Sequence, residues 1–428
     1  MTTKPRVLFA TPILCHPPVG GPALRIENSI KALTQISDLF IYSRVRLDKL
    51  GGTETLAFYE RYCKGFYVAS FVPTNKYSRF VKKGLNFVSR RITGWNVFKS
   101  GWEPATEDFG HLLTVANVTR ADVIWLGYGN ISYQLLKYIK SHPPYKVVLD
   151  TDSVWSRYIL RGLPFAKRER ERRRIKRAGR EKEEEERWGT QLADVTTAVS
   201  LIDAEYYRSL VKDPQQIHIF SNVIDVEVYR QIPPPADNLK RPCIYLAGTY
   251  WPRGPMDDAA RWLISQVFPY VRLQIPDIHL YCVGVGSDRT LSDIKDPGVI
   301  VTGNVPSVLP YLCYTDVALV PLRFESGTRF KILEAGACGV PVVSTTLGAE
   351  GIPVTHEKDI LIADEPEEFA RYIVRLIQER KFALRLAENL KTLVVERYSI
   401  AALAREGSRI LQNLTVKSNC LVARKPGD

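Results

Sequence analysis

Short apolar runs alternate with longer stretches of helical periodicity along almost the whole chain. In the first half, "RVLFATP", "LFIYSRV", "GFYVASFVP", "ADVIWLGYG", "YKVVLDTD" and "ADVTTAVS" read as strands. In the second half, "CIYLAGT", "IHLYCVG", "VIVTGNV", "VALVPL", "VPVVST" and "DILIAD" are their equivalents. Between them lie helical patterns such as "MDDAARWLISQVFPYVRLQ" and "EEFARYIVRLIQERKFALRLAENLKTLVVERY". A short buried strand followed by a helix is the repeating unit of a parallel sheet, because only a crossover brings the chain back in the same direction. The alternation predicts an α/β fold with two doubly wound sheets in series.

At 428 residues the chain exceeds what one ordinary core accommodates. The expected boundary is "SNVIDVEVYRQIPPPADNLKRP", where Pro233, Pro234 and Pro235 end any helix. This gives an N-terminal domain over 1–218, a second over 219–396, and a closing helix with a tail over 397–428. No solenoid-length repeat interrupts the pattern.

Composition narrows the class. Hydrophobic residues make up 45% of the chain, and the longest apolar runs are too short for a spanning helix or a signal-peptide core. Seven scattered cysteines form no C-x-x-C pair, and six histidines form no H-E-x-x-H. Reduced thiols in a cytoplasm and no metal site are the expectation. The net charge of +13 favours an anionic partner. Two segments concentrate that charge. In 75–102, Tyr77, Phe80, Leu85 and Val88 share a helical stripe flanked by Lys76, Arg79, Lys82 and Lys83. Such a stripe either packs into the core or lies on an anionic membrane. The second, "KRERERRRIKRAGREKEEEERW", reads as an exposed helix laced by i,i+4 pairs.

Three places carry chemistry. Gly20 and Gly21 separate the first strand from a helix, where glycine lets backbone N–H groups approach an anion; a plain βα turn has the same look. In "ESGTRFKILEAGACGVPVVST", a helix over "FKILEAGA" opens next to Arg329 and Lys331, with Glu334 one turn in. Cations are disfavoured at a helix N-terminus, so two of them point to a bound anion such as a pyrophosphate. A carboxylate among apolar neighbours needs partners, and ribose hydroxyls serve. A solvated helix start with Glu334 paired to a basic neighbour is the alternative. Asp150 and Asp152 form a D-x-D, which either holds a divalent cation or makes a strand-end turn with Asp152 or Ser153 capping the next helix.

The stretch "GTRFKILEAGACGVPVVSTTLGAEGI", together with "GNVPSVLPYLCYTDVALVPL", "ADVTTAVSLIDAEYY", "FSNVIDVEVY" and the "GG" with Arg25, resembles the GT-B glycosyltransferases of the large family-4 retaining class. The likeness runs over nearly the whole chain and is strongest from Tyr245 to Ile352. It implies two Rossmann-like domains facing across a cleft and a retaining, metal-independent transfer from a nucleoside-diphosphate sugar to a glycan or lipid-linked acceptor, in bacterial exopolysaccharide or surface-glycan synthesis. By that pattern Glu334 holds the ribose and Arg329 and Lys331 hold the diphosphate. Gly303, Asn304 and Val305 lie by the base, and Gly20 and Gly21 face the sugar phosphate. Gly248, Arg25, Ser326, Gly327 and Thr328 add donor contacts. Asp150 and Asp152 line the acceptor side. Two positions depart from the class: Ser326 stands where a first glutamate is usual, and Thr151 where a histidine is. A subgroup with G-T-R-x-K shares the first departure. A cytoplasmic protein without a cofactor is the expectation, and the stripe over 76–102 either attaches it peripherally to the inner membrane face or packs as an ordinary helix of the first domain. A basic nucleic-acid-binding protein is an alternative that would explain the charge of +13, although no nucleic acid is expected as a partner, since no recognised module carries the basic residues. A nucleotide-sugar epimerase of the same architecture is the alternative enzyme; a dehydrogenase lacks its dinucleotide fingerprint.

Overall fold

The computed structural model describes residues 4–46, 49–50, 52–71, 107–166, 168–325 and 329–422, with side chains to residue 414. The first sheet contains β1 (Arg6–Thr11), β2 (Asp38–Ser43), β3 (Gly65–Val68), β4 (Val123–Gly127), β5 (Lys146–Asp150), β6 (Val195–Ala198) and β7 (Ile217–Ile219). Its order is β3-β2-β1-β4-β5-β6-β7, with every pair parallel. The second contains β8 (Cys243–Ala247), β9 (His279–Val283), β10 (Val299–Gly303), β11 (Val317–Val320), β12 (Val342–Ser344) and β13 (Leu361–Ile362), in the order β10-β9-β8-β11-β12-β13. It too is parallel throughout. These are two doubly wound α/β domains.

Each sheet reverses its winding once, between β1 and β4 and between β8 and β11. At such a switch point the loops leaving the two strands part and open a crevice beyond the carboxyl ends. The strands themselves are buried almost throughout: Val7, Leu8, Phe9 and Ala10 of β1 and Val123 to Leu126 of β4 have lost nearly all solvent contact. That explains their continuous rather than alternating apolar runs.

Helices depart from expectation in two places. The pattern over 256–274 is not one α-helix. It is Pro255–Trp262, a π-helical turn Leu263–Val267, and Phe268–Gln274. Pro269 lacks an N–H and its ring crowds the carbonyl four residues back, so the ladder widens ahead of it. The pattern over 367–398 divides at Glu379 (φ −94°, ψ 69°) into Pro366–Gln378 and Arg380–Arg397.

The last helix, Ile400–Val422, lies along the helix Gly20–Ile36 of the first domain. Gly407 permits the approach, since a Cβ there would stand 2.9 Å from Ile36 Cδ1. Glu406 on the same helix accepts hydrogen bonds from the Ser221 amide and hydroxyl at 2.8 and 2.9 Å. Nearby, Lys31 pairs with Asp225 at 3.0 Å, so the chain crossing between the domains is pinned on both sides.

Candidate active site

The helix Phe330–Ala337 places Ile332, Leu333 and Ala335 in the core, which fixes where its first turn opens. Neither it nor the helix Gly20–Ile36 has a side-chain cap at its N-terminus. Ile332 N–H turns back to the Arg329 carbonyl at 3.1 Å, while no side chain among the described residues caps the N–H groups of Phe330 and Lys331 or those opening the helix at Gly20. The two helix starts face each other: a Cβ on Gly21 would lie 3.3 Å from Phe330 Cδ2. Gly20 takes φ +79°, a left-handed conformation that glycine adopts without steric cost.

Glu334 is half-buried, and its Oε1 accepts a hydrogen bond from Tyr229 Oη at 2.9 Å. Burial pushes its carboxyl above the usual range, while the Tyr229 bond and the Lys331 charge oppose the shift. Tyr229, on the chain crossing, was not foreseen from sequence; its phenol is itself pushed up by burial and by Glu334. Lys331 is half-exposed and makes no ion pair among the described residues. Arg329 does not share its setting. It is buried, with Nη2 donating to the Leu347 carbonyl at 3.5 Å and Nε 3.9 Å from Glu325 Oε2. Burial lowers its pKa, against the pull of Glu325 and Glu350.

Beyond the ends of β8, β9 and β10 lies a floor of backbone. Gly248 N–H donates to the Val283 carbonyl, Tyr250 N–H to that of Val285, and Gly284 N–H to that of Gly303, at 3.0, 2.8 and 3.1 Å. Gly284 (φ +123°) would bring a Cβ within 2.2 Å of the Gly248 oxygen, and Gly286 (φ +78°) within 2.4 Å of that of Tyr250. Gly303 (φ +70°) donates its N–H to Ser287 Oγ at 3.0 Å. Asn304 is exposed and Val305 half-buried beside it. Gly284 and Gly286 were missed in the sequence, although "VGVG" directly after an apolar run carries the signal.

Two residues expected at the site are deeply buried. Arg25 and Asp150 are bonded to each other, Nη2 to Oδ1 at 2.5 Å, with both side chains essentially inaccessible. Arg25 also donates to Asn222 Oδ1 at 2.7 Å and to the Thr151 carbonyl at 3.0 Å. Asp150 accepts from Trp125 Nε1 and Thr197 Oγ1 at 3.1 and 2.7 Å. A charge this deep is tolerated only when paired and hydrogen-bonded, and this pair answers each other's need. Asp152 is the more accessible of the two aspartates. It accepts from Trp155 Nε1 at 3.0 Å, and burial pushes its carboxyl up to about 6. Neither Asp152 nor Ser153 caps the helix Trp155–Arg161, whose cap position is Val154. Tyr128, at the end of β4, holds a left-handed backbone (φ 61°, ψ 51°) next to Trp155. Non-glycine residues in that region are strained and gather at functional crevices.

A second cluster joins the domains. Arg161, from the first, binds Glu350 of the second through both carboxylate oxygens, and the ring of Phe165 meets that of Phe324 at a tilt of 41°, with centroids 4.5 Å apart. Ser326, Gly327, Thr328 and the 76–102 segment lie outside the described residues. Among those described, no helix is long and apolar enough to cross a membrane.

Residues 241–379 match the family model described as Glycosyl transferases group 1. A relative from Klebsiella pneumoniae, an uncharacterized 44.6 kDa protein in the cps region, is 24% identical over 146 residues; the match covers 32% of this chain and 38% of the relative. Solved structures similar over most of the chain include Anabaena HepE in complex with UDP-glucose, with TM-score 0.62, 12% identity, and 95% and 99% of the two chains covered. Sucrose-phosphate synthase from Thermosynechococcus elongatus matches with TM-score 0.67 at 14% identity, over 97% and 100%. At such identities the likeness establishes the architecture. Residues 241–379 are therefore a glycosyl transferases group 1 domain, set in a chain with the two-domain GT-B fold.

Proposed function

We propose that this protein is a retaining, metal-independent glycosyltransferase that moves a sugar from a nucleoside-diphosphate sugar to a glycan or lipid-linked acceptor in cytoplasmic surface-glycan synthesis. The observation that carries the reading is the meeting of two uncapped helix starts, at Gly20–Gly21 and at Phe330, with Lys331 and Glu334 beside them. Converging N–H groups and a cation suit a diphosphate. The UDP-glucose held by HepE and the cps-region setting of the Klebsiella relative support the donor class and the pathway type.

In the proposed reaction the acceptor hydroxyl attacks the anomeric carbon on the face the diphosphate leaves. The bond from that carbon to the diphosphate oxygen breaks, and the acceptor proton passes to the departing diphosphate. No protein nucleophile is needed. Lys331 stabilises the negative charge growing on the leaving group, and this is where preorganised charge accelerates most. Glu334, held by Tyr229, takes the ribose hydroxyls through Oε2. Gly248, Gly303, Asn304 and Val305 surround the base, and Asp152 faces the acceptor.

A thermal-shift screen against nucleoside diphosphates tests the donor site. UDP is the first candidate, and a ligand at about 100 times its Kd adds roughly 2.7 kcal/mol of stability. If no nucleoside diphosphate raises the melting temperature, the reading fails.

A further inference from the structure

Two thiols meet at the far end of the donor helix. Cys313 Sγ lies 3.7 Å from Cys338 Sγ, within reach of an S–H hydrogen bond, and both residues are half-buried rather than sealed. Burial pushes the thiols of Cys63 and Cys243 up to about 11 and that of Cys282 up to about 12, which keeps them protonated and unreactive. Cys313 moves the other way. Once it ionises, the Cys338 S–H donates to it, and this holds the Cys313 thiol below its ordinary value. The same bond, together with burial, keeps the proton on Cys338. A thiolate in contact with a protonated thiol is the arrangement of an attacking and a resolving cysteine.

The pair is tied to Glu334 from two directions. Cys338 stands four residues after Glu334, one turn along the same helix face, and its N–H donates to the Glu334 carbonyl at 3.1 Å. Tyr245 Oη, buried without a hydrogen-bond partner among the described residues, feels the charges of Glu334, Cys338 and Cys313 together. Cys313 follows the helical turn Leu309–Leu312, which is fastened to the chain crossing between the domains. Ala236 N–H donates to the Pro310 carbonyl at 3.1 Å, and Tyr314 Oη to the Pro233 carbonyl at 2.8 Å. That crossing carries Tyr229, whose phenol holds Glu334. A covalent bond between the sulfurs draws them well inside their 3.7 Å contact. The donor helix yields little, because a Cβ on Gly336 would stand 2.8 Å from both Leu390 Cγ and Val394 Cγ2. The movement therefore falls on the Leu309–Leu312 turn and, through Pro233 and Ala236, on Tyr229.

We propose that Cys313 and Cys338 form a thiol-oxidation site for low-molecular-weight disulfides, and that its closure loosens Tyr229 from Glu334 and weakens donor binding. The Cys313 thiolate attacks one sulfur of the small disulfide, whose other half leaves as a thiolate and takes up a proton. A mixed disulfide remains on Cys313. Cys338 then gives up its proton and attacks the Cys313 sulfur, forming the Cys313–Cys338 bond and releasing the second half as a thiol. Two protein thiols are oxidised, and one small disulfide is reduced to two thiols. In a reducing compartment such a bond is transient, and excess thiol reverses it. The effect on donor binding rests on the glycosyltransferase reading; the thiol chemistry does not.

The test exposes the reduced, folded full chain to oxidised glutathione, maps its cysteines by peptide mass and titrates UDP by calorimetry. The wild type should gain a Cys313–Cys338 link that dithiothreitol removes, with UDP affinity lowered about tenfold while the link is present. Cys338→Ser should stop at a glutathione adduct on Cys313. Cys313→Ser should gain neither link nor adduct at Cys338, and should bind UDP like the reduced wild type. By reciprocity, saturating UDP should lower the linked fraction at a fixed ratio of oxidised to reduced glutathione. Two thiols that stay reduced in the folded protein, adducts confined to other cysteines, or a link that forms only after denaturation overturns the proposal. A link that leaves UDP affinity unchanged also overturns it. If the reduced wild type binds no nucleoside diphosphate, the glycosyltransferase reading falls, and the mapped link still decides the oxidation site.

Discussion

The guanidinium of Arg161 closes on the carboxylate of Glu350 from the opposite domain, Nη1 to Oε1 at 2.8 Å and Nη2 to Oε2 at 2.6 Å. A two-pronged pair of this kind is both stronger and more directional than a single contact. The same Arg161 Nη1 donates to the Glu325 carbonyl, so the pair ties domain approach to the loop ahead of the donor helix. Being partly exposed, the pair is worth on the order of 1 kcal/mol, less than a buried charged hydrogen bond. Arg161→Ala and Glu350→Ala should each weaken nucleotide affinity by roughly fivefold. The double variant should be no worse than Arg161→Ala alone, because that change already removes the shared contact together with the bond to the Glu325 carbonyl. Fully additive losses in calorimetry would show that the two side chains act independently.

The donor helix should separate two roles. Lys331→Ala removes charge facing the leaving diphosphate, so kcat and kcat/KM should fall together, by about tenfold or more. Glu334→Gln should weaken nucleotide binding in the ground state, because a ribose contact exists before the reaction begins. Tyr229→Phe should reproduce part of the Glu334→Gln effect by freeing the carboxylate. Unchanged affinity and turnover in folded Lys331→Ala and Glu334→Gln proteins would return these charges to a solvated helix start.

Legibility followed the range of the interactions. The six apolar runs of each half became strands, because buried parallel strands are written as local runs. β7 escaped, being a three-residue edge strand with too little sequence to show a period. The break at Glu379 was invisible, since neither glycine nor proline marks it. The helix starts at Gly20 and Phe330 were legible for the same local reason. The Arg25–Asp150 and Arg161–Glu350 pairs and the Tyr229–Glu334 bond were not. Their partners lie 125, 189 and 105 residues apart, and no single window of sequence states such a meeting.

Two glycines should fail in different ways. Gly284→Ala forces a Cβ onto the Gly248 oxygen and strains φ +123°, so several kcal/mol of stability should be lost, on the order of 3. Gly21→Val places its bulk against Phe330 at the open cleft, where no backbone blocks it. Denaturation should show Gly21→Val near wild-type stability, with nucleotide affinity reduced. Equal stability of the two variants would contradict the close packing described at Gly284.

Arg25 and Asp150 should behave as a structural pair. Arg25→Met leaves the Asp150 charge buried without its main partner, which costs about 3–5 kcal/mol. Urea denaturation is the measurement. A stable Arg25→Met protein with a raised KM for donor would restore the direct ligand contact first expected of Arg25.

Asp152 should make the protein more stable in mild acid than at neutral pH. Its folded-state pKa of about 6 lies above the ordinary 3.8, because burial penalises the charged form. Between roughly pH 4 and pH 6 the folded chain therefore holds more of this proton than the unfolded chain does. Stability falls as pH rises through that window, and the cost is fully present above it. Two pKa units correspond to about 2–3 kcal/mol. Asp152→Asn keeps an oxygen to accept from Trp155 Nε1 and removes the charge. The variant should melt several degrees higher than wild type at pH 7 and much closer to it at pH 4. If Asp152 also orients the acceptor, the same variant gains stability while losing turnover, the exchange expected where a site is held in a costly state. A variant no more stable than wild type at pH 7 would show that the crevice solvates this carboxylate well enough to keep it charged at no cost.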